Sequence, residues 1–196
     1  MFDMMNSALL IWLYTLGFAL LHSFMAMNAV KQRFYSLGMS EQGYRLLYSM
    51  LGVITTIIWL ALIQALPDQS LYHAQGLLRY VLYTLQLIGL VVFLLALLPI
   101  DGAVFLGLKK AEKQVDPFIV SGIYKYIRHP MYSGIMLLLL ASPEQSWNGL
   151  HFAFIVSLYF IVGSKLEERR MLQAHPDYAN YRQQVGAFIP KFWNRS

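Results

Sequence analysis

Residues 80–98 read YVLYTLQLIGLVVFLLALL, a run with no charged side chain that is closed by Pro99. A helix rising ~1.5 Å per residue needs about 20 mostly apolar residues to cross a hydrocarbon core. This stretch meets that length. Working outward, runs 8–27 and 46–66 (the latter ended by Pro67) read the same way, as does 147–165. A shorter run, 131–142, has Pro130 suited to its first helical turn and Pro143 closing it. About a dozen residues reach only ~20 Å. That segment either pairs with the next span as a tight helical hairpin turning over 143–149, or re-enters the face it left. The reading is an all-α integral membrane protein with about five transmembrane helices, a C-terminal helical hairpin and a cytoplasmic tail. It is one membrane domain over 1–196: a three-span part over 1–98, then a polar loop, the hairpin and the tail over 99–196.

Composition points the same way. Hydrophobic residues make up 58% and charged residues 13% of the chain, and mean hydropathy is +0.50. Soluble domains carry about 25% charged residues, so half that supply cannot cover a water-facing surface. A lipid-facing surface removes the requirement. The formal charge of +5 is placed beside apolar runs, which fits anionic lipid head groups and not nucleic acid. The first apolar run lacks a basic region before it and reads as a span, not a cleaved signal. With no cysteine, disulfides, thiolate metal sites and cysteine nucleophiles are excluded.

Basic residues orient the spans. With the N-terminus outside, segments 28–45, 99–130 and 165–196 lie inside. They hold Lys31, Arg33 and Arg45; Lys109, Lys110, Lys113, Lys125 and Arg128; and Lys165, Arg169, Arg170, Arg182, Lys191 and Arg195. Every basic residue except Arg79 is then cytoplasmic. The expected setting is a multi-pass protein of a bacterial inner membrane with its C-terminus in the cytoplasm.

Two polar stretches fall on that inner side: residues 116–132, DPFIVSGIYKYIRHPMY, and residues 167–181, EERRMLQAHPDYANY. They flank the two ends of the hairpin, so closing it gathers Tyr124, Arg128, His129, Tyr132, Glu167, Glu168, Tyr178 and Tyr181. Arg binds carboxylates through a planar fork, Glu accepts from ammonium groups, and Tyr and His offer flat faces to a ring or a sulfonium. The set suits a zwitterionic nucleoside with a positive sulfur. Against this, basic residues and tyrosines beside spans also serve as topology anchors, and the Glu pair can be solvated partners of Arg169 and Arg170. His22, inside the first span, either packs between helices or belongs to a site. No nucleotide-binding glycine motif, Walker lysine motif or nucleophile elbow is present. His129, His151 and His175 lack metal-ligand spacing, so no metal is expected.

The pattern Gly122-x-Tyr124-x3-Arg128-His129-Pro130-x-Tyr132-x-Gly134, then Glu167-Glu168-x3-Leu172, then Tyr178-x2-Tyr181-Arg182 and Ile189-Pro190, resembles the isoprenylcysteine carboxyl methyltransferase superfamily over about residues 118–192. Leu21 to Ala26 with Lys31, Tyr44 to Tyr48, Phe105 to Lys109, Ala141-Ser142-Pro143 and Leu166 to Arg169 look like its branch of methanethiol S-methyltransferases and denitrification-associated membrane proteins. The chain departs from the pattern at Val185-Gly186, where many relatives carry Val-Pro. The resemblance implies a methyltransferase that uses S-adenosylmethionine. Tyr124, Arg128, His129, Pro130, Tyr132, Gly134, Glu167, Glu168, Tyr178 and Tyr181 would form the cofactor site. Arg128, Glu167 and Glu168 would act in catalysis, and a small hydrophobic acceptor would arrive from the bilayer. A thiol acceptor is expected, with an Arg raising its thiolate fraction. The alternatives are a prenylcysteine-type carboxylate or a lipid amine as acceptor, a non-catalytic relative, or a heme-dependent isomerase with His22 as axial ligand.

The charge partition makes the orientation measurable. Reporter fusions at Ser196 and at the loop near Lys110 should report cytoplasm, and one at Gln145 the opposite side. An active periplasmic reporter at Ser196 would overturn the orientation.

Overall fold

The computed structural model describes residues 2–110 and 118–191. Lys113, Asp116 and Arg195, assigned above to the inner side, lie outside the described residues. Four helices are long and apolar enough to cross a membrane: α1 (Phe2–Ala26), α3 (Glu41–Ala65), α4 (Gly76–Leu97) and α7 (Trp147–Ala174). Shorter pieces join them: α2 (Asn28–Ser36), α5 (Gly102–Phe105), a 3-10 turn (Gly122–Lys125), α6 (Pro130–Leu140) and α8 (Tyr178–Gln184). Among the described residues the strands are β1 (Ser70–His73) and β2 (Glu144–Ser146), which pair antiparallel. The protein is a helical membrane protein with little sheet.

The sequence places every long helix, but the ends differ. Helix α7 begins at Trp147 as expected and then runs through the Glu pair to Ala174. Residues 166–174, LEERRMLQA, contain no Gly, Pro or β-branched residue, so nothing interrupts the hydrogen-bond ladder. It stops where Pro176 disfavours helical backbone at His175. The Glu pair therefore stands on a rigid helix, not in a loop after one. Within the expected turn over 143–149, residues 144–146 form β2, too short and too polar to carry a strand pattern, and residues 147–149 already belong to α7.

The chain divides into two compact units. The first comprises residues 1–69, 101–115 and 147–152. Here α1 and α3 are tied by polar groups that need partners in an apolar setting. Tyr44 Oη donates to Met25 O at 2.6 Å, and Tyr14 Oη to Thr55 O at 2.9 Å. His22 Nε2 lies 3.1 Å from Thr55 Oγ1. That hydroxyl already donates to Leu51 O, so the imidazole is the donor. His22 is thus a buried link between helices, with its ring packed on Phe18 at 4.1 Å. At the start of α7, Asn148 is fully buried and donates from Nδ2 to Pro67 O, and Trp147 Nε1 donates to Met4 O.

The second unit comprises residues 70–100, 116–146 and 153–196. Helices α4 and α6 run antiparallel and touch at Gly89 and Gly134. A Cβ built on Gly134 would sit 2.6 Å from Gly89 O and 2.8 Å from Phe93 N, so the two backbones approach to where only glycine fits. Gln86 Nε2 donates to Leu138 O further along. At one end, Tyr124 Oη donates to Ala96 O; at the other, β1 pairs with β2. The 11 residues of α6 reach only ~16 Å, and beyond it residues 142–146 run beside residues 70–74: Tyr72 Oη donates to Ser142 O, Ala74 N donates to Pro143 O, and β2 pairs with β1.

The glycine contact yields a stability test. Gly134→Ala should destabilise the protein by about 1–3 kcal/mol through overpacking, read as a lower thermal midpoint in detergent. Gly17→Ala, where a Cβ meets nothing within 4 Å, should leave the midpoint unchanged or slightly higher. Equal midpoints for both variants would refute the close approach.

Candidate functional site

The polar cluster of the second unit is built around one carboxylate. Glu168 is buried on α7 and receives four donors. Arg128 Nε and Nη2 reach Oε1 at 2.8 and 2.7 Å, His129 Nε2 reaches the same oxygen at 3.0 Å, and Arg182 Nε reaches Oε2 at 3.1 Å. An ionised carboxylate is acceptor-only, so the His129 nitrogen facing it carries a proton. Arg128 is taken up on its other edge as well. Its Nη1 donates to the carbonyls of Arg182 and Val185, and its guanidinium hydrogen-bonds the Tyr178 hydroxyl.

Backbone pairing explains why the fork points inward. Residues 127–129 run beside 186–187: Ile127 bridges Gly186, Arg128 N donates to Gly186 O at 2.8 Å, and His129 N donates to Ala187 O at 2.9 Å. Ser133 Oγ adds a bond to Phe188 O. A Cβ on Gly186 would collide with Ile189 O. The glycine that departs from the Val-Pro pattern thus permits a tight reversal that returns the C-terminal segment across the Arg128–His129 step.

Glu167, one residue earlier, is different. Its side chain is 44% exposed against 9% for Glu168. Tyr132 Oη donates to its Oε2 at 3.2 Å, and His129 Nδ1 stands 3.8 Å from that oxygen. The Tyr132 ring lies nearly parallel to Phe160 at 4.5 Å on one side and to His129 at 5.6 Å on the other. Adjacent helical residues point about 100° apart, so one carboxylate turns inward and its neighbour toward water.

The remaining tyrosines form an aromatic wall. Tyr181 Oη donates to Tyr124 O at 2.6 Å, and Phe118 packs against His175, Tyr178 and Tyr181 at ring separations of 5.3–5.4 Å. Burial, and next the Glu168 charge, push the Tyr178 phenol up to about 12. Burial raises Tyr181 further, and burial with Glu167 raises Tyr124. These hydroxyls stay neutral donors at ordinary pH. The Nε2 of His175 is enclosed with no hydrogen-bond partner.

Of the residues singled out from sequence, Tyr124, Arg128, His129, Tyr132, Glu167, Glu168, Tyr178 and Tyr181 come together here. Pro130 is buried at the first turn of α6, and Gly134 faces α4, away from the carboxylates. Arg128 was expected to act on an acceptor or cofactor; its donors instead meet protein acceptors. Arg182, the carbonyls of 185–187, Phe118, Phe160 and His175 complete the cluster and were not selected as site residues. What the phase of α7 does make legible is the inward direction of Glu168, because Ala153, Ser157, Ser164 and Glu168 share one buried face at spacings of four and seven.

Comparison with known proteins gives relatives over most of the chain. A methanethiol S-methyltransferase of Crocosphaera subtropica is 30% identical over 203 residues, covering 97% of this chain and 78% of the relative. One of Pseudomonas deceptionensis is 29% identical over 185 residues, covering 88% and 69%. One of Mycobacterium tuberculosis is 27% identical over 197 residues, covering 94% and 79%. No solved structure matches. The NnrU protein family model matches residues 10–184, a span that includes the Arg128–Glu168 cluster and all four long helices or most of each, and the chain belongs to that family.

Proposed function

We propose that this protein is a membrane methyltransferase that uses S-adenosylmethionine and methylates a small or lipophilic thiol. The observation that carries the reading is the pairing of two adjacent carboxylates on α7 in opposite environments, one enclosed by Arg128, His129 and Arg182, the other half-open beside Tyr132. When bound, the cofactor supplies a methyl group on a sulfonium, which a nucleophile can displace. The residues suit such a ligand. Glu167 offers negative charge toward a cation, Tyr178, Tyr181 and Phe118 offer flat faces, and the enclosed Nε2 of His175 lacks a polar partner. Glu168 and Arg128 hold the wall in place, with Tyr124, His129, Pro130 and Tyr132 lining it and Gly134 setting the α6 approach behind it.

The relatives named methanethiol S-methyltransferase support a thiol as acceptor. The membrane setting agrees with this chemistry. An acceptor dissolved in lipid meets the cofactor where water is scarce, and a displacement that joins an anionic nucleophile to a sulfonium disperses charge, so a dry pocket favours it. Alignment of the two partners is the protein's main contribution. We further read α6 with residues 141–146 as a fifth crossing, since α6 packs on α4 and residues 142–146 continue beside the β1 stretch that leads into α4. On that reading the N-terminus is outside and the polar cluster cytoplasmic in a bacterial inner membrane, with residues 1–98 and 99–196 forming one membrane domain.

Two measurements test this reading. Calorimetric titration of the purified protein in detergent should give S-adenosylmethionine binding, weakened at least about tenfold by Arg128→Lys. An ammonium cannot serve Glu168 and two carbonyls together, and bonds to charged groups contribute ~1.5–3 kcal/mol each. Unchanged affinity in Arg128→Ala and in the Glu167→Ala/Glu168→Ala double variant, both folded by thermal shift, would refute the assignment. For the acceptor, labelled cofactor should transfer methyl groups to methanethiol or longer alkyl thiols in nanodiscs. Transfer only to a farnesylated cysteine carboxylate or to phosphatidylethanolamine would overturn the thiol.

A further inference from the structure

A thiol must lose its proton to be a strong nucleophile, and the obvious cation for that task is engaged elsewhere. Arg128 directs its guanidinium to Glu168, to the carbonyls of Arg182 and Val185 and to Tyr178. Glu168 is surrounded by cations and makes a poor proton acceptor. The carboxylate that combines negative charge, access to water and contact with the aromatic wall is Glu167, and that contact is the Tyr132 hydroxyl.

Tyr132 also has the right reach. Its ring stacks on Phe160, seven residues before Glu167 on α7. Seven residues are two helical turns, ~10 Å along the axis, so the tyrosine links the apolar part of the helix to the carboxylate. A phenol that donates its own proton retains oxygen lone pairs that can accept another. The groups facing Glu167 are Tyr132 and His129 at the start of α6, Tyr124 on the 3-10 turn, Tyr178 on α8 and Glu168 beside it on α7. Beyond Glu168 stand Arg128 and Arg182. Both guanidiniums are directed at Glu168, and Glu167 is held by the Tyr132 hydroxyl with His129 Nδ1 at 3.8 Å.

We infer that Tyr132 and Glu167 form a proton relay that deprotonates the acceptor thiol during methyl transfer. The inference rests on the thiol reading above. The S–H proton passes to Tyr132 Oη as the hydroxyl's own proton passes to Glu167 Oε2. The sulfur electron pair forms the new S–C bond with the methyl carbon. The pair of the broken C–S bond returns to the donor's sulfur, which becomes a neutral thioether. Glu167 then releases its proton to water across its exposed side. One proton is released per methyl transferred, and no oxidant or metal enters the balance.

The test compares wild type, Tyr132→Phe and Glu167→Gln in nanodiscs, using an alkyl thiol and an aryl thiol that is already ionised at pH 7. With the alkyl thiol, both variants should lose about tenfold to a hundredfold in kcat/KM at pH 7 and regain most of it as pH rises through the thiol's own pKa, ~8.5 for a Cys-like thiol. With the aryl thiol the loss should be under about threefold. Rates are read at saturating S-adenosylmethionine, with calorimetry giving each variant's cofactor affinity, because Glu167 also presents its charge to the cofactor. Equal losses for both thiols at every pH would assign the pair a positioning role and overturn the relay, as would full activity of either variant. A wild-type protein that binds the cofactor yet methylates no thiol would instead sink the thiol reading.

Discussion

An ionised carboxylate enclosed by protein is unstable without partners, and Glu168 has them from two separate parts of the chain. Arg128 and His129 come from the turn before α6, and Arg182 comes from α8. Because each cation answers the same two oxygens, the ends of these segments cannot drift apart without leaving charge unpaired and buried. Removing one partner from a buried ion pair costs on the order of 3–5 kcal/mol. This charge network therefore fixes the second unit at the end where α6 leaves and α7 arrives. The bonds from Arg128 to the carbonyls of residues 182 and 185 extend the same constraint to the C-terminal segment, where Val185 is buried and Phe188 packs against His129.

Away from this cluster the constraints are those of lipid. Hydroxyl and imidazole groups of α1 and α3 bond to carbonyls or to one another, as in the pairs Tyr14–Thr55, His22–Thr55 and Tyr44–Met25. None of these bonds needs water. The large exposed apolar side chains of α4, among them Leu87, Val91 and Leu94, face the solvent that suits them if that solvent is hydrocarbon. Small residues do the packing at Gly89 and Gly134, since apolar burial gives no drive for helices to associate inside a bilayer and close backbone approach must replace it.

Hydropathy made the long helices legible, because a span's length and lack of charge are properties of consecutive residues. The clustering of Arg128, His129 and the Glu pair was legible too, through a motif whose spacing survives in the chain. What the sequence could not convey was the direction of each side chain. Arg128 reads as a ligand-facing fork until the backbone pairing of 127–129 with 186–187 is known, and that pairing joins residues nearly sixty positions apart. The split between Glu167 and Glu168 was closer to reach. Extending α7 past Lys165 puts Glu168 in phase with Ala153, Ser157 and Ser164, and Glu167 off that face. The β1–β2 ribbon left no signal, since SLYH and EQS are too short to show alternation.

That split has a chemical consequence that neither carboxylate has alone. A lone half-exposed Glu on a helix is mobile, and its position relative to a bound acceptor would be poorly defined. Here the inward Glu168 fixes the rotation of α7 about its axis through Arg128, His129 and Arg182, and so fixes the direction in which Glu167 leaves the helix. Tyr132 then reads that direction through its hydroxyl, while its ring is held between His129 and Phe160. His129 takes part in both halves, donating to Glu168 from Nε2 and stacking on Tyr132. On the proposed reading, the buried carboxylate is the positioning group and the open one the reactive group. Moving the pair one residue toward the N-terminus would leave Arg128 without its anion and put a charge in place of the exposed apolar Leu166.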